Sequence, residues 1–238
     1  IVMYSSFYAA ARGVIAQQQK LDVTANNLAN INNYGYKNKS VSFSNLMYYN
    51  MNNQYGQDTA MKAGTGVKVE MTNTDFTPEA YTETDGAYDF AIGGKGFFRL
   101  VNPSSDAVTY TRNGHFSLSQ QGNQFYLVND AGNRVCDRNG NPVIVNNGTF
   151  SGEIGIYQFN ITDGMQSIGD NEFAPTAKNG TPFLVQDGKL IRHALETSGV
   201  DMAEEMTKVI ESQRAYSYAL RMVQTSDEIV NTVNSLRQ

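Results

Sequence analysis

Tryptophan is missing from this chain, and its 238 residues include one cysteine, two histidines and five prolines. A lone Cys136 can form neither an internal disulfide nor a multi-cysteine metal site. His115 and His193 lie in no motif that sets a nucleophile beside them, so general-base catalysis has little to draw on. No run of about eighteen apolar residues exists, so no membrane-spanning helix is expected. Basic residues are outnumbered, 18 against 23 acids, and the net charge of -5 argues against the basic face that nucleic acid requires. The opening Ile-Val-Met-Tyr lacks the basic lead of a cleaved signal, so any export is expected to use a route without one. Hydrophobic content of 40% with 21 glycines suits modest cores and many turns.

What is present begins with a heptad. Phe7, Val14, Leu21 and Leu28 stand seven apart, and Ile31 extends the apolar face. The flanking positions are small or polar, so this helix packs closely on a partner but buries too little to stand alone. Asn26, Asn27 and Asn30 are mediocre helix formers that set register through hydrogen bonds. Asn32, Asn33 and Gly35 tolerate positive φ and end the helix. A strand follows at residues 41–51, a polar loop at 52–66 and a half-buried strand at 67–71. From about residue 75 to 157, short strands are broken every ten residues or so, the pattern of an antiparallel sandwich or barrel. Residues 93–96, Gly-Gly-Lys-Gly, and Arg112-Asn113-Gly114 read as hairpin turns. Helical order returns at Asp201, where Asp201-x-x-Glu204 has the form of a capping box. Met206, Val209, Gln213, Tyr216, Leu220 and Val223 then follow a 4-3-4-3 rhythm. The fold class expected is α+β, with two long terminal α-helices pairing as a coiled coil around a central all-β domain.

Chemical candidates are thin. Cys136 before a turn reads as a small buried hydrophobe. Residues 92–96 lack the Gly-Lys-Ser/Thr ending of a phosphate loop, and residues 137–141 place glycine wrongly for a calcium loop. Tyr34, Tyr36, Tyr48, Tyr49 and Tyr55 suit a protein interface, or a sugar platform in a secreted carbohydrate-binding module. No cofactor, metal or small-molecule substrate is expected, and the chain reads as a non-enzyme.

Ala25-Asn26-Asn27-Leu28-Ala29-Asn30 followed by Tyr34-Gly35-Tyr36-Lys37 resembles the signature of the flagellar basal-body rod and hook proteins. Asp89-Phe90-Ala91-Ile92 through Phe98, Tyr110 through Phe116, Leu195 through Met206 and Gln213-Arg214-Ala215-Tyr216 resemble further family blocks, in family order. The resemblance implies an axial subunit of the basal body, exported by the flagellar type III apparatus without a cleaved signal. Such subunits stack helically into a hollow rod that transmits torque from motor to hook. Its partners would be itself, other rod and hook subunits and the export apparatus. It implies a discontinuous helical assembly domain at 1–36 and 197–238, an extended linking region at 37–75 and 175–196, and an outer β-rich domain at 76–174. The assembly interface would comprise Val14, Leu21, Asn26, Asn27, Leu28, Asn30, Ile31, Met206, Val209, Gln213, Tyr216, Leu220 and Val223. Phe43, Leu46, Met47 and Tyr48 resemble a segment typical of the distal rod; a hook or other axial component is the alternative.

Overall fold

The computed structural model describes residues 2–52, 58–146, 148–186 and 188–236. It is α+β, and it divides into two compact units: Ile1–Ala29, Lys39–Asn73 and Asp201–Gln238 form the first, Asn30–Asn38 and Thr74–Val200 the second.

In the first unit, α1 spans Val2–Ala29 and α2 spans Met202–Ser235. Asp201 caps α2, its Oδ1 accepting from the backbone N–H groups of Ala203 at 2.8 Å and Glu204 at 3.1 Å. The reciprocal half of the capping box does not form: the Glu204 carboxylate pairs with Lys208 at 2.8 Å instead. The two helices run antiparallel. Asn27 near the end of α1 meets Glu205 at the start of α2, and Gly13 in α1 faces Ala219, where an added Cβ would sit 3.9 Å from the alanine methyl.

The same unit carries four strands, β1 (Lys39–Asn45), β2 (Tyr48–Asn52), β3 (Asp58–Gly64) and β4 (Val67–Thr74). β1 pairs β4 and β2 pairs β3, and the bonds Leu46 N–H to Gly66 O and Thr65 N–H to Met47 O join the pairs into one ribbon. A strand therefore stands where polarity suggested loop. β3 is held by backbone pairing with β2 rather than by an apolar pattern, so periodicity could not reveal it. Gly66, at φ +114°, lies against α1; a Cβ there would come within 3.3 Å of the Ala9 Cα.

The second unit is antiparallel β. Its central strand, Phe97–Val101, pairs with Val108–Thr111, Arg134–Val135 and Ile156–Gln158. Alternation splits this strand between two cores: Phe98 and Leu100 join Phe90, Ile92, Leu127 and Val135, while Phe97 joins Tyr110, Phe159 and Phe173. Neither expected hairpin forms. Phe90–Gly93 pairs with Lys189–Arg192, not with the strand after the glycines, so residues 93–96 carry the chain from one sheet to another. Strand Ser117–Gln121 pairs with Gln124–Val128 rather than with Val108–Thr111, so Asn113-Gly114 is a corner. Phe90 N–H donates to Gly114 O at 3.0 Å, and a Cβ on Gly114 would lie 1.6 Å from the Phe90 carbonyl oxygen. Glycine signals mark where backbones must approach closely, not which strands pair. The Gly122-Asn123 turn does close a two-residue hairpin, with Gly122 at φ +66°.

Candidate assembly interface

Small residues set the seam between α1 and α2. Ala16, Thr24 and Asn27 are buried on α1; Glu205, Ser212 and Ser226 are buried on α2. With Ala219, the α2 residues stand seven apart, so the inward row is Glu, Ser, Ala, Ser. Such a row permits close approach and offers little apolar area. Asn27 apart, these residues carry no apolar signal in the sequence; a heptad of small residues is the signal that marks them.

Residues expected at the interface distribute around this seam. Val14, Leu21, Leu28 and Ile31 are half-buried, as are Val209, Tyr216 and Val223. Asn26 and Gln213 are exposed, and so are Met206 at 48% and Leu220 at 39%. Leu46 is half-buried, whereas Phe43, Met47 and Tyr48 are exposed, Met47 at 83%. Tyr55 and the side chain of Tyr49 lie outside the described residues.

Asn27 is the polar hub of the first unit, 1% exposed. Its amide pairs with the Lys39 backbone as a strand would, donating to Lys39 O at 2.7 Å and accepting from Lys39 N–H at 3.1 Å. It also donates to Glu205 Oε2 at 3.2 Å, and the other carboxylate oxygen, Oε1, accepts from Lys208 Nζ at 2.8 Å. Both amide protons of Asn27 are thus engaged within the chain. Asn30 is half-buried; its Oδ1 accepts from Asn33 Nδ2 at 2.6 Å.

The second unit holds a buried ion triad. Glu196 Oε1 accepts from Lys37 Nζ at 2.7 Å, from Arg112 Nη2 at 3.3 Å and from Glu79 N–H at 2.9 Å. Arg112 Nε approaches Glu196 Oε2 to 3.0 Å, an ionic contact too misaligned to be a hydrogen bond. Lys37 also donates to Thr77 O at 2.5 Å. Burial holds the Lys37 ammonium below the ordinary lysine value, with Glu196 pulling it back up. Burial likewise lowers Arg112 against the pull of Glu196. Arg112 Nη1 also donates to Gly94 O at 2.8 Å and Gly96 O at 2.9 Å. The glycine turn therefore presents carbonyls to a cation, the reverse polarity of a phosphate loop. Gly35, at φ +66°, brings the Tyr34–Lys37 signature against this site; a Cβ would lie 2.6 Å from Asn113 N. No local pattern announces a triad whose members lie up to 159 residues apart.

The remaining chemical candidates have structural partners. His115 Nδ1 lies 3.0 Å from Asp89 Oδ1, and Thr84 donates to the other oxygen at 2.6 Å. The imidazole borders a cleft of about 490 Å³ shared with Asn32, Tyr34, Asn113, Asp130 and Asp170. The aliphatic hydroxyl on that cleft, Thr111, donates to Asn171 O at 2.8 Å and accepts from Asn113 N–H. The geometry thus supplies a base without an activated nucleophile. His193 is exposed at φ +55°. Cys136 is fully buried, and burial pushes its thiol up to about 11, so it is protonated and inert at neutral pH. Asp137 accepts from the backbone N–H groups of Asn139 and Asn141, both at 2.8 Å, which closes a turn. Among the described residues, no three histidine, cysteine or carboxylate groups could hold a metal, and no helix is long and apolar enough to cross a membrane.

Three family models match in chain order: flagella basal body rod protein over residues 7–37, flagellar hook protein FlgE/F/G D1 domain over 91–169, and flagellar basal body rod FlgEFG protein C-terminal over 191–236. The chain is 31% identical to the flagellar basal-body rod protein FlgG of Buchnera aphidicola subsp. Schizaphis graminum, over 98% of this chain and 100% of the relative. It is 29% identical to FlgG of Bacillus subtilis over 99% and 100%. Its identity to the rod protein FlgF of Caulobacter vibrioides is 30% over 95% of each.

Proposed function

This chain belongs to the flagellar basal-body rod proteins, structural components of the flagellum, and we propose that it is a non-catalytic axial subunit that polymerises helically into a hollow rod. One observation carries this reading: apolar side chains stay exposed along both terminal helices, among them Phe7, Ile15, Met206, Ile210, Leu220 and Met222. A seam of alanine, serine and asparagine cannot offset the ordering of two helices, at about 1–2 kcal/mol of backbone entropy per residue. Burial of the exposed faces between stacked copies supplies what the single chain lacks. The antiparallel pair then acts as a short coiled coil completed by neighbours and lines the inner layer of the rod. Partners are other copies, other rod and hook subunits and the type III export apparatus that the chain passes through. The assembled rod carries torque to the hook.

The ribbon β1–β4 supports a rod role. A two-stranded ribbon is marginal in water and has unpaired edges, and Phe43, Met47 and Tyr48 give it an exposed apolar surface for adjacent copies. Full-length alignment with rod proteins favours rod over hook.

Electron microscopy of purified chain across a concentration series tests this reading. Polymer is expected above a threshold concentration, and none from a variant ending at residue 196. Persistent monomer in the full chain, or polymer from the shortened one, would contradict it.

A further inference from the structure

The surface carries two charged features of opposite sign that no contact within the chain explains. The first is the cleft of about 490 Å³ in the second unit. Asp130 and Asp170 line it, together with asparagines, Tyr34 and His115, and no lysine or arginine does. Both aspartates are exposed, the Asp130 side chain at 67%, and His115 Nε2 lies 4.0 Å from its Oδ1. Asp170 and Asn171 both take positive φ, at 49° and 57°, at the edge of the cleft. The second feature lies on α2 in the first unit. Arg214 and Arg221 are the sole charged residues between Ser212 and Ser226. Both are exposed, and neither forms an ion pair among the described residues. They border a groove of about 370 Å³ with Ile210, Gln213, Ser217 and Tyr218.

We propose that these surfaces meet between copies: the Arg214/Arg221 face of one subunit docks into the Asp130/Asp170 cleft of the next. The inference rests on the assembly reading and names one contact within it. Two aspartates match two arginines in charge. Guanidinium groups suit this lining, because their fixed fork of donors pairs with carboxylates and amide oxygens and stacks on aromatic rings. Seven helical residues separate the arginines by about 10 Å, so both project from the same side of α2, two turns apart. The symmetry follows from chemistry. A contact between two different patches of one chain is heterologous, and such contacts propagate into rings or helical polymers rather than closing as two-fold dimers.

Charge reversal tests it in the full-length chain. One variant carries Asp130→Lys with Asp170→Asn, the asparagine chosen because it tolerates positive φ; the other carries Arg214→Glu with Arg221→Glu. All four sites are exposed, so β-domain melting should be unchanged. Each variant alone is expected to raise the threshold for polymer at least tenfold. An equimolar mixture retains the native contact in one direction and sets the two reversed surfaces, again of opposite charge, against each other in the other, so it should form heterodimers and longer mixed oligomers in sedimentation velocity that neither variant forms alone. Native chain that polymerises while both variants match it overturns this contact and leaves the assembly reading standing. Variants that both fail, with a mixture that shows no heterodimer, also overturn the pairing. Native chain that forms no polymer overturns the assembly reading and this contact together.

Discussion

Replacing Glu196 with alanine is expected to destabilise the β-rich unit by about 3–5 kcal/mol, the cost of leaving buried charge uncompensated. The carboxylate serves two cations whose side chains are 0% and 1% exposed, Lys37 and Arg112, and accepts the Glu79 N–H. Its removal strands both cations and a backbone donor. Lys37 can escape by losing its proton, because burial already holds its ammonium below the ordinary value. Arg112 cannot deprotonate. The sign of the pH dependence follows. In the variant, Lys37 falls further below its unfolded value, so the unfolded state binds more protons between the two. Stability should therefore recover in part as pH rises towards 10.5. Lys37→Met should cost less, about 1–3 kcal/mol, since Glu196 keeps Arg112 and the Glu79 N–H. Urea unfolding followed by circular dichroism checks both values and their order. A Glu196→Ala midpoint equal to native would show that the triad does not hold the unit together.

Placing aspartate at Met206 and Leu220 together should raise the threshold for polymer at least 100-fold while leaving β-domain melting unchanged. Met206 is 48% and Leu220 39% exposed in the single chain, so neither belongs to a core. Burying the part of each that is still exposed is worth about 1 kcal/mol on assembly, and a carboxylate in the same place must be desolvated as well. Sedimentation across a concentration series reads the threshold. Polymer at the native concentration would mean that this stripe faces solvent in the rod.

Heptad spacing exposed the two helices and their ends in the sequence, because Asn30 to Gly35 and Asp201 are local signals with local consequences. The orientation of the helices was not legible there. Phe7, Val14, Leu21 and Leu28 looked like the seam, yet the buried row holds Ala16, Thr24 and Asn27 opposite Glu205, Ser212 and Ser226. An apolar stripe marks a face that needs cover without saying whether the cover is the same chain or another copy. Asn27 makes the same point. A register-setting asparagine is legible in the sequence but its partners are not: within the chain its amide holds the Lys39 backbone and Glu205. Short strands were visible through their turns, but pairing was not. Gly94, Gly96 and Gly114 are required by Arg112 and by the Phe90 backbone, both distant in sequence. The ion triad escaped notice for the same reason: Lys37, Arg112 and Glu196 look like ordinary surface residues until the fold buries them.

The claim that the terminal helices gain their stability from neighbouring copies is tested most directly by amide hydrogen exchange, on dilute monomer and on polymer of the same chain. Amides of α1 and α2 should exchange freely in the monomer and become protected by at least 100-fold in the polymer, while the central strand Phe97–Val101 stays protected in both. Strong protection of both helices in the dilute monomer would contradict it.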